Sequence, residues 1–177
     1  MKLNAMAFAA FALAAAGSAQ ADIYSGIGSI TLADATFNRP VSFLSLSAVG
    51  TAVHYDQLAI VGATPGAYDF RMVAVPGGSF DTFLALYAGG FDPAAPLTNL
   101  VAFNDDFTNI ASGSGFSYDI AGGVTYTVIS TAFSNTGLGD YTTTVVSTVT
   151  TAVPEPATYG LMVLGLFAVA GVARLRA

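Results

Sequence analysis

The sequence predicts an all-β body, an antiparallel β-sandwich or jelly roll of about eight or nine strands, flanked by two apolar ends. Three observations carry that expectation. No long stretch of the body shows a helical period, apolar residues alternate with polar ones in short runs, and turn-forming clusters separate those runs. The ends are set aside before the fold is considered, because targeting segments mimic structural elements.

At the N-terminus, Met1-Lys2 supplies a positive start and Ala5 to Ala16 is an uninterrupted apolar stretch. It is followed by Gly17-Ser18-Ala19-Gln20-Ala21, in which Ala19 and Ala21 satisfy the small-residue rule of signal peptidase. Residues 1–21 therefore read as a secretory signal peptide cut before Asp22. The apolar stretch is too short to span a bilayer, which takes about 20 residues.

The body follows, a domain expected over residues 22–150. It carries two arginines, Arg39 and Arg71, against ten aspartates, a formal charge of −8. Such a surface repels phosphate backbones, so nucleic acid is excluded as a partner. The chain has no cysteine, which removes disulfides, thiolate zinc sites and a cysteine nucleophile. Its stability has to come from a packed core, and a body of this length is large enough to hold one.

Strands are read in order from period-two runs. Tyr68, Phe70, Met72 and Ala74 alternate with Asp69 and Arg71; Phe116, Tyr118 and Ile120 alternate with Ser117 and Asp119. Val124, Tyr126 and Val128 alternate with Thr125 and Thr127, and Tyr141, Thr143 and Val145 repeat the pattern. Each run puts β-branched or aromatic residues on one face, as a half-buried strand requires. Turns are expected at Thr64-Pro65-Gly66, Pro76-Gly77-Gly78, Asp92-Pro93, Asn104-Asp105-Asp106, Gly113-Ser114-Gly115, Gly122-Gly123 and Gly137-Leu138-Gly139. The threonines from Thr142 to Thr151 show no repeat of the kind a flat ice-binding ladder needs. They read as a strand running into an extended spacer.

The C-terminus, residues 151–177, opens on Val153-Pro154-Glu155-Pro156, where two prolines exclude helix. An apolar run over 157–173 follows, roughly 25 Å long as a helix against a hydrocarbon core of about 30 Å. Arg174 and Arg176 end it and act as a stop-transfer signal, because basic residues stay cytoplasmic. That orientation leaves the body outside, which the signal peptide requires independently.

Val-Pro-Glu-Pro, a short apolar helix and a terminal basic cluster resemble the PEP-CTERM sorting signal of Gram-negative bacteria, similar in logic to the LPXTG signal of Gram-positive cells. The same segment also goes under the name of an ice-binding protein C-terminal domain, a label that says nothing about ice. The resemblance implies processing by an exosortase, a membrane transpeptidase acting near the Pro-Glu-Pro strip, and an exopolysaccharide context. It also implies transient residence in the inner membrane, then release to the cell surface, the extracellular matrix or the medium.

The body has a resemblance of its own. Gly66-x-Tyr68-x-Phe70, the run Phe80-Asp81-Thr82-Phe83-Leu84-Ala85-Leu86-Tyr87, Asn104-Asp105-Asp106, Ser117-Tyr118-Asp119-Ile120, Ala121-Gly122-Gly123-Val124-Thr125-Tyr126 and Gly139-Asp140-Tyr141 occur in the order seen in bacterial pre-peptidase C-terminal domains. The match covers roughly 62–150 and implies a β-sandwich. Residues 22–60 have no counterpart in that pattern and are expected to add strands to the same sandwich.

Candidate chemistry is sparse. His54 is the only histidine, and Asp56 stands two residues on, yet no Gly-x-Ser-x-Gly elbow presents a serine to them. On a strand the two share a face, which suits an ordinary surface hydrogen bond. The body has no glutamate and the chain no tryptophan, which argues against a glycosidase pair of carboxylates on an aromatic platform. Calcium is the remaining option: Asp81, Asn104, Asp105 and Asp106 offer oxygen ligands and converge if the strand after Asp81 pairs with the strand before Asn104. The commoner role of such side chains is closing a turn. No other cofactor is expected. The sequence thus points to an exported, non-enzymatic structural or adhesive protein, ahead of a calcium- or polysaccharide-binding module and well ahead of a secreted hydrolase.

Overall fold

Among the described residues, nine strands in two facing antiparallel sheets make up the body, with a small ribbon beside them. In the computed structural model of the chain, residues 23–62, 64–75, 80–107 and 113–148 are described. The expected signal peptide, the turn expected at Pro76-Gly77-Gly78, the sorting strip, the apolar run over 157–173 and the expected stop-transfer arginines Arg174 and Arg176 lie outside the described residues. In chain order the strands are β1 (Ile23–Ile30), β2 (Thr36–Phe37), β3 (Pro40–Ser42), β4 (Ser45–Leu46), β5 (Val53–Val61) and β6 (Gly66–Ala74). They continue with β7 (Thr82–Ala88), β8 (Leu100–Asn104), β9 (Gly113–Ile120), β10 (Thr125–Ala132) and β11 (Gly139–Ser147).

One sheet has the order β1-β11-β6-β9 and the other β2-β5-β10-β7-β8; β3 and β4 form the ribbon. The early segment without a family counterpart does join the sandwich. β1 pairs with β11 without a register break, and β5 pairs with β10. Residues 21–150 form one compact unit.

The expected alternation holds in the four-stranded sheet. Tyr68, Phe70 and Met72 of β6 and Tyr141, Thr143 and Val145 of β11 turn inward and are buried. They meet Leu84 and Leu86 of β7, Tyr126 and Val128 of β10, and Ile30 and Ile120 in the core between the sheets. Fully burying each large side chain contributes about 1.5–3 kcal/mol relative to leaving it exposed.

The five-stranded sheet behaves differently. β7 and β10 are buried on both faces, because a second core covers the outside of that sheet. Phe37, Val53, Phe83, Ala85, Tyr87, Leu100 and Ile129 make it, with Tyr55, Phe91, Leu97 and Phe103 packed around them. Phe37, Tyr55 and Phe91 pair edge-to-face at centroid distances of 5.1–5.2 Å.

Two local expectations change. Gly113-Ser114-Gly115 opens β9 instead of forming a turn. A Cβ on Gly115 would come within 2.7 Å of the Phe70 carbonyl oxygen, so the glycine serves close strand approach. Ser114, buried, accepts a hydrogen bond from the Thr82 hydroxyl at 3.0 Å. Val124 lies just before β10, half exposed at the turn that follows Gly123, whose φ is +74°.

Candidate functional site

The acidic corner is the first candidate. β7 and β8 do pair, with Leu84 opposite Asn104, so Asp81 is brought toward the end of β8 as calcium ligation requires. Burial and the nearby charges of Asp105 and Asp106 raise the Asp81 carboxyl above the usual carboxylate range. Asn104 does not join these carboxylates as a free ligand. Its amide donates to the Gly115 carbonyl at 2.9 Å, while its Oδ1 accepts the Asp106 backbone N–H at 3.1 Å. This is the Asx turn that the residue types favour. Among the described residues, no three His, Asp or Glu side chains come together as a metal-holding group.

A cation of the protein's own faces this corner. Arg39 is 3% exposed, and its guanidinium lies 4.1 Å from the Phe133 ring centroid and 4.7 Å from that of Phe83. Its Nε donates to the Phe133 carbonyl at 2.7 Å and a terminal nitrogen donates to the Pro40 carbonyl. Burial pushes the guanidinium down from its ordinary value, against the opposing pull of Asp105 and Asp81. Nothing in the residue pattern marks one of the two arginines in the body as a core residue; only the aromatic pair around it, far apart in the chain, shows the reason.

The second candidate is His54 with Asp56, and they do not bond to one another. His54 Nδ1 sits 2.7 Å from the Asp34 carbonyl oxygen, which fixes the ring to the preceding loop as a donor. Asp56 instead accepts the Tyr141 hydroxyl at 2.8 Å across the sandwich. The expected mutual hydrogen bond is thus replaced by two longer-range ones. Asp56 therefore does not orient the His54 ring as the acid of a triad would.

Asp56 belongs to a polar cluster that sequence reasoning missed. Ser130 and Thr143, both buried, share a hydroxyl–hydroxyl contact at 2.9 Å. With Tyr141 and Asp56 they line a cavity of about 190 Å³ at the β1/β5 flank. Burial, then the hydrogen bond to Asp56, lifts the Tyr141 phenol well above its ordinary value. Gly28 stands directly opposite Tyr141, and a Cβ there would fall 2.3 Å from the ring. A more apolar cavity of about 280 Å³ continues along the flank past Tyr24 to Ile60, Tyr68 and Val145.

Comparison with known proteins bears on the C-terminal segment more than on these sites. Residues 152–176 match the model of the PEP-CTERM protein-sorting motif. This segment is a PEP-CTERM sorting signal. The PEP-CTERM motif marks an exosortase-sorted extracellular protein that is exported and passes through a membrane-anchored stage. No curated protein matches the chain in sequence. Among solved structures, the chain is similar to the pre-peptidase C-terminal domain of collagenase from Bacillus anthracis, at 13% identity and a TM-score of 0.44 over 69% of this chain and 87% of that one. The g-type lysozyme inhibitor PliG of Aeromonas hydrophila gives 10% identity and a TM-score of 0.42 over 73% and 87%. The K1 cleaved adhesin domain of Lys-gingipain from Porphyromonas gingivalis gives 12% and 0.37 over 74% and 99%.

Proposed function

We propose that this protein is a non-enzymatic structural or adhesive component of the extracellular matrix, delivered by exosortase in an exopolysaccharide setting. The observation that carries the reading is the PEP-CTERM signal over residues 152–176. The sites add support: the single histidine is tied to a backbone carbonyl, and the Asn104 side chain closes the turn at the acidic corner, beside a buried arginine. Signal peptidase acts at Ala19 and Ala21, exosortase near Val153 to Pro156, and Arg174 and Arg176 hold the tail during processing. In cells, a Pro154→Ala/Pro156→Ala double variant accumulates in the membrane with its tail uncut. Normal processing of that variant, read by mass spectrometry of the mature protein, refutes the sorting step.

A second reading, a calcium-binding module, has one specific observation in its favour: Asp81 is held near two like charges, Asp105 and Asp106. A cation there relieves that repulsion. The reading requires a melting temperature that rises with millimolar calcium, by mass action, and a rise that Asp81→Asn abolishes. No shift with calcium removes it.

A further inference from the structure

We infer that the outer edge of β1, unpaired among the described residues, is a self-association surface, on which a second copy of this chain pairs antiparallel about Ile27. Sheet edges display unpaired N–H and C=O groups, and proteins ordinarily blunt them with charges, prolines, bulges or shortness. Three of the edges here are blunted in that way. β2 has two residues, and β8 has five with a register break. β9 carries Asp119, and its Gly115 carbonyl is occupied by the Asn104 amide. Beyond Tyr55, β5 also runs unpaired on its outer side, but that run opens on the charged Asp56.

β1 has none of these devices. Its eight residues, Ile-Tyr-Ser-Gly-Ile-Gly-Ser-Ile, include no charge and no proline, and its pairing with β11 runs unbroken from Ile23 to Ile30. The direction of its free groups follows from the ladder. Asp140 O accepts from Val75 N, and Ala67 O accepts from Thr148 N, so Asp140 and Thr148 turn their backbone groups toward β6. Tyr141, one residue on from Asp140, turns its own toward Gly28. By alternation, Ser25, Ile27 and Ser29 point their N–H and C=O groups away from the sheet.

The sequence of that edge selects the partner. Ser25-Gly26-Ile27-Gly28-Ser29 reads the same in both directions. A two-fold axis at Ile27 therefore sets Ser25 against Ser29, Gly26 against Gly28 and Ile27 against Ile27, which is the isologous contact a symmetric dimer needs. The outward pairs then exchange about six backbone hydrogen bonds in the antiparallel pattern. Ile27 is 80% exposed, and pairing covers it. In a body of charge −8, this uncharged strip is a place where two copies meet without opposed carboxylates. The surface is independent of how the chain is sorted.

The absence of cysteine makes the test direct. The mature protein collected from cells is prepared as Ile27→Cys, as Ser25→Cys, as Ser29→Cys and, for an equally exposed control, as Leu32→Cys, 77% exposed. Under mild oxidation Ile27→Cys is expected to give a disulfide-linked homodimer, since an opposed pair sits about 5.5 Å apart at Cα, inside disulfide range. Mixing Ser25→Cys with Ser29→Cys is expected to cross-link at least five-fold more than either alone. Ile27→Pro, which removes an outward donor and no bond within the sheet, lowers the dimer fraction seen by light scattering at unchanged melting temperature. Cross-linking of Leu32→Cys equal to that of Ile27→Cys overturns the inference, as does a monomeric Ile27→Cys or cross-linking of it only to a different protein.

Discussion

Gly28→Ala tests whether the flank cluster is a designed contact between β1 and β11. The backbone at Gly28 is not in the left-handed region, so alanine brings no φ penalty there. The cost comes from the side chain. Its Cβ would lie 2.3 Å from Tyr141 Cζ and Oη, whereas ordinary contact begins near 3.4 Å, so the ring must move by more than 1 Å. A shift of that size breaks the 2.8 Å bond from Tyr141 to Asp56. A hydrogen bond to a charged acceptor contributes ~1.5–3 kcal/mol, and Asp56 is only half-buried, so the lower half of that range applies. Partial exposure of a ring now 5% exposed adds about 1 kcal/mol at 25 cal/mol/Å². Replacing glycine by alanine in a strand returns about 0.5–1 kcal/mol. The net expectation is a loss of about 2 kcal/mol. Equilibrium urea unfolding followed by circular dichroism measures it as a fall in midpoint at constant slope. In a Tyr141→Val background the ring is gone, and Gly28→Ala should then be neutral or mildly stabilising. Equal cost in both backgrounds refutes the contact.

Asp81→Asn should raise stability at neutral pH. The folded-state carboxyl titrates above its unfolded value, so the protonated form is the favoured one and ionisation works against folding; the difference from wild type should vanish as the pH falls below the ordinary carboxylate value near 3.9. Above pH ~10 the opposite edge of the stability profile appears. Burial holds the phenols of Tyr87 and Tyr141 protonated to higher pH than in the unfolded chain, so stability is full below about pH 10 and falls as pH rises past it, with Tyr141→Phe flattening the fall. Arg39→Ala is expected to cost about 3–5 kcal/mol in urea unfolding, because it strips the Phe133 carbonyl of its donor and two rings of their cation, while Arg39→Met keeps the packing and costs less.

The four-stranded sheet was legible because one of its faces meets water. Asp69 and Arg71 on β6 face outward, ion-paired at 3.3 Å, while Tyr68, Phe70 and Met72 are buried, and that contrast is what a period-two reading detects. β7 lacked the contrast. Phe83, Ala85 and Tyr87 serve one core, and Leu84 and Leu86 serve the other, so the run is apolar throughout. Its strand character came from its family-like motif rather than from periodicity. The acidic corner was legible as a turn because Asn104 acts within two residues of itself. Arg39 was not, because its partners Phe83 and Phe133 lie in strand and loop segments remote in sequence.

The same distinction separates the two kinds of function in this chain. Sorting is encoded in a linear strip, and such a signal is legible in sequence because order alone carries it. Whatever the sandwich contacts is encoded in register, since a strand edge presents alternate backbone groups and the choice of outward residues depends on which partner fills the other side. In β1 the two meet. Gly28 leaves room for Tyr141 and Gly26 for Tyr24, and the residues beside them leave an uncharged, symmetric edge away from β11. A substitution in β1 therefore acts on stability at Gly28 and on assembly at Ile27, and the two effects should separate cleanly because alternate residues face opposite neighbours.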